Sequence, residues 1–200
     1  MRYKKYFKQP SKKKLIATTG LLIAVLVNSV GLSHADGLWD ALKSGNHLVL
    51  MRHALAPGYG DPANFDVKEC RTQRNLNEVG RQQSIDIGDL FRSNGIDKAI
   101  VLSSQWCRCL ATANLLNLGN VSELPFLNSF FENFYREQFQ TDETIQWIRN
   151  APLKIPTILV SHQVNIAALT GYSAASGEMV FVRRSTDGRF KVIGSIQTDK

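Results

Sequence analysis

Three stretches of the chain are apolar without a break: His47-Leu48-Val49-Leu50-Met51, Ala99-Ile100-Val101-Leu102 and Pro156-Thr157-Ile158-Leu159-Val160. Runs of this length without polar alternation predict strands covered on both faces, as in a parallel sheet. Helical spacing lies between them. Leu76, Val79, Ile87, Leu90 and Phe91 form one apolar stripe that ends at Asn94-Gly95. A short helix over Trp39-Asp40-Ala41-Leu42 closes at Gly45, and Ser103-Ser104 provides caps for a helix through Leu116. Thr141-Asp142-Glu143 starts a helix through Asn150, and Asn165 to Thr170 forms another. Glu178–Val182 and Phe190–Ile193 flank Asp187-Gly188, which predicts a hairpin. Residues 120–140 are aromatic-rich and assign no element. Ala54 to Arg74 carries Pro57, Gly58, Gly60 and Pro62 and reads as a long loop, a type of segment that often carries function. Alternating strands and helices predict an α/β three-layer sandwich with a mainly parallel central sheet and an antiparallel edge hairpin.

The formal net charge of +7 suggests a polyanionic partner until its distribution is considered. Arg2, Lys4, Lys5, Lys8, Lys12, Lys13 and Lys14 lie at the start, with no acid among them. With residues 1–35 set aside, 17 basic residues face 17 acidic ones, so no broad basic surface remains for nucleic acid. The basic start is followed by an uncharged run from Leu15 to Ser33 and by Ser33-His34-Ala35, small residues around an exit before Asp36. This is the layout of a secretory signal peptide. An uncleaved anchor is the alternative, weakened by Asn28, Ser29, Gly31 and Ser33 near the end of the run. The expectation is an exported chain of residues 36–200, in the periplasm or secreted. No linker divides it, so it should form one domain. In an oxidising compartment its three cysteines, Cys70, Cys107 and Cys109, suit one disulfide and one thiol. Cys70 is one partner, because residues two apart do not bridge comfortably.

Each predicted parallel strand ends in reactive chemistry. The first ends in Arg52-His53, the second in Ser103-Ser104 with Arg108 a turn later, and the third in Ser161-His162. Ligands of such sheets bind beyond the carboxyl ends of the strands, so two arginines and two histidines should meet there. Alone, each residue reads as an ordinary surface or structural side chain; their coincidence is the functional signal. Arginine forks bind phosphate, and the Ser103-Ser104 helix start adds amide donors. A histidine beside arginines is kept neutral and nucleophilic. The same arginines repel a cation, so no metal is expected.

At these residues the chain resembles the histidine phosphatase superfamily, the phosphoglycerate-mutase-like phosphatases. Leu48-Val49-Leu50-Met51-Arg52-His53-Ala54 is similar to that family's strand ending in Arg-His-Gly. Leu76-Asn77-Glu78-Val79-Gly80-Arg81-Gln82-Gln83 resembles its Leu-Thr-x-x-Gly-x-x-Gln helix start. Ser104 to Ala113 matches Ser-x-x-x-Arg-Ala-x-x-Thr-Ala, and Leu159-Val160-Ser161-His162-Gln163 is similar to Val-Gly-His-Gly. The resemblance spans about residues 46–172. It implies that His53 is the phosphorylated nucleophile and that Arg52, Arg108 and His162 hold phosphate. Ala54, Ser161 and Gln163 depart from the family's glycines, and a positive φ at Ala54 would cost energy.

Glu132, among Phe130, Phe131 and Phe134, is the candidate proton donor, on the expectation that apolar surroundings raise its pKa. Glu123, Glu137 and Glu178 are weaker candidates. Arg71, Arg74, Ser104 and Gln163 are candidate substrate contacts. A Cys70–Cys107 bridge would pin the long loop to the Arg108 helix, with Cys109 a buried thiol at a small-residue position. The implied function is a metal-free, cofactor-free phosphomonoesterase acting on a phosphorylated small molecule, glycan or protein. A phosphomutase and a silent phosphate- or phosphoglycan-binding module are the alternatives.

Overall fold

A computed structural model describes residues 35–186 and 189–198. The expected signal peptide and the Asp187-Gly188 turn lie outside these. Gly37–Lys200 forms a compact unit. After a helix α1, described over residues 35–43, come β1 (His47–Arg52), α2 (Glu78–Ser93), β2 (Ile100–Ser103) and α3 (Cys107–Leu115). The chain continues through β3 (Val121–Glu123), α4 (Glu137–Asn150), β4 (Thr157–Ser161), α5 (Gln163–Thr170), β5 (Met179–Arg184) and β6 (Phe190–Ile196).

The six strands lie in the order β3-β2-β4-β1-β5-β6. β3, β2, β4 and β1 are parallel, while β5 and β6 form the antiparallel pair. Alternate side chains of the apolar runs serve opposite cores. Val49, Met51, Val101, Ile158 and Val160 pack with Trp39, Ile87, Phe91 and Ala113 of α1–α3. Leu48, Leu50, Leu102 and Leu159 pack with Ile148 and Ile166 of α4 and α5. Helices therefore cover both faces, which is why these strands show no polar alternation. No helix among the described residues is long and apolar enough to cross a membrane.

Several elements differ from expectation. Ser103 belongs to β2, and α3 begins at Cys107 with Trp106 at its cap. α4 begins at Glu137, four residues before the Thr141 start, because a 3-10 turn at Phe134–Arg136 leads directly into it. β3 has only three residues and is mostly exposed, so it left no periodic signal in residues 120–140.

The parallel register fixes where the site lies. Arg52 stands opposite Ser161, and Ser103 opposite Val160, so three strands stop level with one another. The ladder continues one residue further: the His53 amide donates to the Ser161 carbonyl (3.0 Å), and the Ser104 amide to the Val160 carbonyl (2.9 Å).

Candidate active site

The backbone after His53 is held by side chains from two helices. Thr112 Oγ1 accepts from the Ala54 amide, and Gln83 Oε1 accepts from the Leu55 amide, both at 3.0 Å. Gln83 closes the second sequence motif and Thr112 is the penultimate residue of the third, so the spacing of those motifs has a mechanical reason. Gly80 lets α2 approach this loop, since a Cβ there would lie 2.0 Å from the Leu55 carbonyl oxygen. Ala54 is buried and is not among the residues with positive φ, so its replacement of glycine introduces no strain.

His53 is buried, and its Nδ1 lies 2.7 Å from the Ala54 carbonyl. A carbonyl only accepts, so the ring proton sits on Nδ1 and the Nε2 lone pair is left for chemistry. Burial, then the charge of Arg108, lowers the His53 pKa to about 3. His162 is also lowered well below the ordinary value, by burial and by Arg108. The two rings lie 5.5 Å apart. His162 Nε2 pairs with Ser104 Oγ at 2.9 Å and approaches the Cys109 thiol at 3.4 Å, so Nδ1 is the nitrogen left for the pocket. Ser104, expected as a substrate contact, is fully buried and is not among the residues that line the pocket. Three amides around the α3 start are taken within the chain: Gln105 donates to Asn128 Oδ1 (2.8 Å), Cys107 to Gln73 Oε1 (2.9 Å) and Cys109 to the Trp106 carbonyl (2.8 Å). Burial pushes the Cys109 thiol up to about 12, so it is inert.

The lowered histidines imply a pH prediction. A histidine whose folded pKa lies below its unfolded value contributes full stability above about 6.5, and that stability falls as pH drops towards the folded pKa. His53 alone should cost about 2 kcal/mol at pH 5 relative to pH 8, and His162 acts in the same direction. Denaturant unfolding at the two pH values checks this. His53→Gln should flatten the profile.

Arg52, Arg74 and Arg108 line one pocket with both histidines, Asp61, Trp106, Glu132 and Gln163. Arg52 Nη1 donates to the Ala174 carbonyl (3.0 Å). Arg74 Nε donates to the Gly60 carbonyl (2.9 Å), and its Nη1 to that of Ala56. The Nε groups of Arg52 and Arg108 are buried without a hydrogen-bond partner. A pocket that three guanidinium groups share with both histidines suits a tetrahedral oxyanion. Arg71 does not join them: it is exposed and pairs with Glu69 (3.2 Å).

Asp61 was missed in the sequence. Its carboxylate grips Arg108, with Oδ1 to Nη1 at 2.8 Å and Oδ2 to Nη2 at 3.2 Å. It also accepts from the Arg74 amide and from Trp106 Nε1, both at 3.0 Å. Burial raises its pKa, but the bonds from Arg108, Arg74 and Trp106 outweigh this and hold it below the ordinary carboxylate value. A lone acid in an aperiodic loop gave no signal beyond the loop itself.

Glu132 lies at the rim, exposed, with a left-handed backbone (φ 68°). The expected apolar surroundings are absent at the carboxylate: Phe130 is buried beneath, and Phe131 packs edge-to-face against Tyr59 (4.9 Å). Gly60 leaves room for the carboxylate, since a Cβ there would lie 3.2 Å from Oε1. The other acids stand elsewhere. Glu178 accepts from Tyr172 (2.6 Å) and the Ala175 amide (2.7 Å), Glu123 accepts from Gln105 (3.2 Å), and Glu137 opens α4. Gln163 lines the pocket and donates to Ser173 Oγ (2.6 Å). Among the described residues, no three His, Cys, Asp or Glu side chains come together as a metal site.

Cys70 is joined to Cys107, next to Arg108, with Cα atoms 5.6 Å apart, and Cys109 is the buried thiol. The bridge anchors the loop that carries Asp61 and Arg74. Closing a span of 37 residues is worth about 4 kcal/mol in the chain-entropy model. Cys70→Ser with Cys107→Ser should lower the melting temperature and raise KM for a phosphate ester several-fold, with a smaller change in kcat. Steady-state kinetics on the double variant check this.

Neither a family model nor a curated protein sequence matches the chain. Solved structures do. The protein histidine phosphatase SixA complexed with tungstate is 18% identical, covers 75% of this chain and 96% of its own, and superposes with a TM-score of 0.52. Phosphoserine phosphatase from Entamoeba histolytica, in complex with 3-phosphoglyceric acid, is 14% identical over 76% of this chain and 97% of its own (TM-score 0.56). Mycobacterial glucosyl-3-phosphoglycerate phosphatase with VO3 is 13% identical over 74% and 98% (TM-score 0.51). All three are members of the histidine phosphatase superfamily, and this chain has their fold.

Proposed function

We propose that the chain is an exported phosphomonoesterase that works through a phosphohistidine on His53, without a metal. The observation that carries this reading is the 2.7 Å contact between His53 Nδ1 and the Ala54 carbonyl. With Nδ1–H donating to the Ala54 carbonyl, Nε2 is left as a neutral nucleophile in a pocket that Arg52 and Arg108 also line. In the first step Nε2 attacks phosphorus, the P–O ester bond breaks, and the departing oxygen takes a proton from Glu132. In the second, water attacks phosphorus, the P–N bond breaks, and Glu132 recovers a proton from that water. Fixed guanidinium charge stabilises the phosphoryl group in both steps. Oxyanions also accompany two of the structural neighbours, tungstate and VO3.

Of the two pocket carboxylates, Asp61 is committed to Arg108, whereas Glu132 has no hydrogen-bond partner among the described residues, which favours it as the group that moves a proton. Export is supported by the basic start, the uncharged run and the small-residue exit of residues 1–35, and by the disulfide, since such bonds persist outside reducing compartments. The test is to incubate residues 36–200 with a radiolabelled phosphate donor, quench, and map the label. Acid-labile, base-stable phosphate on His53, together with release from a panel of phosphomonoesters, is the expected result. Oxyanion binding with neither label nor release would make the protein a binding module.

A further inference from the structure

Arg108 presents two faces, and only one is free. Its terminal nitrogens are taken by the Asp61 carboxylate at 2.8 and 3.2 Å, with Nη1 also reaching the Arg74 carbonyl at 3.3 Å. Its Nε is buried and unpartnered. Asp61 is itself held from two further sides, by the Arg74 amide and the Trp106 indole. A phosphate dianion would take the same bidentate, end-on position on a free guanidinium that this carboxylate takes. The pocket also holds Arg52 and Arg74, so three guanidinium charges would face a phosphoryl dianion, one more than it neutralises. Binding that is equally strong for bound phosphate and for the transition state does not raise kcat, and it slows product release.

We propose that Asp61 is a positioning residue: it closes the end-on face of Arg108 and keeps product phosphate from being captured there. This rests on the phosphomonoesterase reading above. An ion pair that merely stabilised the fold would leave phosphate affinity unchanged, or weaken it when broken, because the pocket would loosen. A positioning carboxylate predicts the opposite sign for binding and for turnover.

The test uses Asp61→Asn and Asp61→Glu in the disulfide-bonded protein, with nitrophenyl phosphate as substrate and inorganic phosphate as inhibitor. Asparagine can still accept from Trp106 and the Arg74 amide but no longer neutralises Arg108. Expected for Asp61→Asn is a phosphate Ki about tenfold lower, KM falling with it, and kcat reduced several-fold. Asp61→Glu restores the charge and should bring Ki back towards wild type. A Ki that rises together with KM in Asp61→Asn, or an Asp61→Glu variant that behaves like Asp61→Asn, would overturn the proposal. Asp61→Ser, read in the same way, replaces Asp61→Asn if thermal melting shows the latter unfolded. Wild-type protein that neither hydrolyses nitrophenyl phosphate nor is inhibited by phosphate would defeat the phosphatase reading instead, so the two failures are distinct.

Discussion

His53→Ala is expected to lower kcat/KM for phosphomonoesters by on the order of 10⁴-fold or more, and to abolish the phosphoenzyme. The size of the loss follows from the role: removing the attacking atom leaves the arginines able to bind phosphate with nothing to accept it. The fold should survive, because the residue stands at the end of β1 rather than within either apolar core. Phosphate binding, measured as protection against thermal unfolding, should therefore persist in the variant. His162→Ala should slow turnover strongly yet still permit labelling. Full activity in His53→Ala would remove the nucleophile from the mechanism. Because the pKa of His53 is lowered to about 3, its reactive form also persists in mildly acidic solution, and labelling at pH 5 should match labelling at pH 7.

The second large effect depends on the leaving group. An alkoxide leaves poorly and needs a proton as the P–O bond breaks, whereas a nitrophenolate leaves unaided. General acid catalysis is worth roughly 10²–10⁴-fold, so Glu132→Gln should lose about that much on a sugar phosphate and far less on nitrophenyl phosphate. The phosphoenzyme should still form from the activated ester, since His53 and the arginines are untouched. Equal losses on both substrates would mean that Glu132 shapes the rim, which its left-handed backbone and its contact over Gly60 also allow. No loss on either would make it a solvated side chain.

The central sheet was legible because strands covered on both faces must be apolar throughout, and Leu48 to Met51 and Ile158 to Val160 are. The meeting of Arg52, His53, Arg108 and His162 was legible for a related reason: parallel strands in register end level, so residues at their ends share an edge. The bridge between Cys70 and Cys107 could be expected once the motif placed Cys107 next to Arg108. Interactions that depend on loop conformation were not legible. Nothing in Gly60-Asp61-Pro62 distinguishes an acid aimed at Arg108 from a solvated one, and Arg71 and Arg74 look alike in the chain although one faces water and the other the pocket. Ser103-Ser104 had the composition of a helix cap, but the sheet register claimed Ser103 and the back of His162 claimed Ser104.

The bridge also bears on when the pocket matures. Its two halves lie on separate segments, β1 with its loop and β2 with α3, and a covalent sulfur bond fastens the loop bearing Asp61 and Arg74 to the helix bearing Arg108. A newly made chain with its thiols reduced would possess every reactive group but lack this fastening. On the export reading proposed above, its grip on phosphate esters would be weakest during synthesis, where such esters are metabolic currency, and would tighten on oxidation. One covalent bond would then act as a timing device that spares the cell's own phosphate pool.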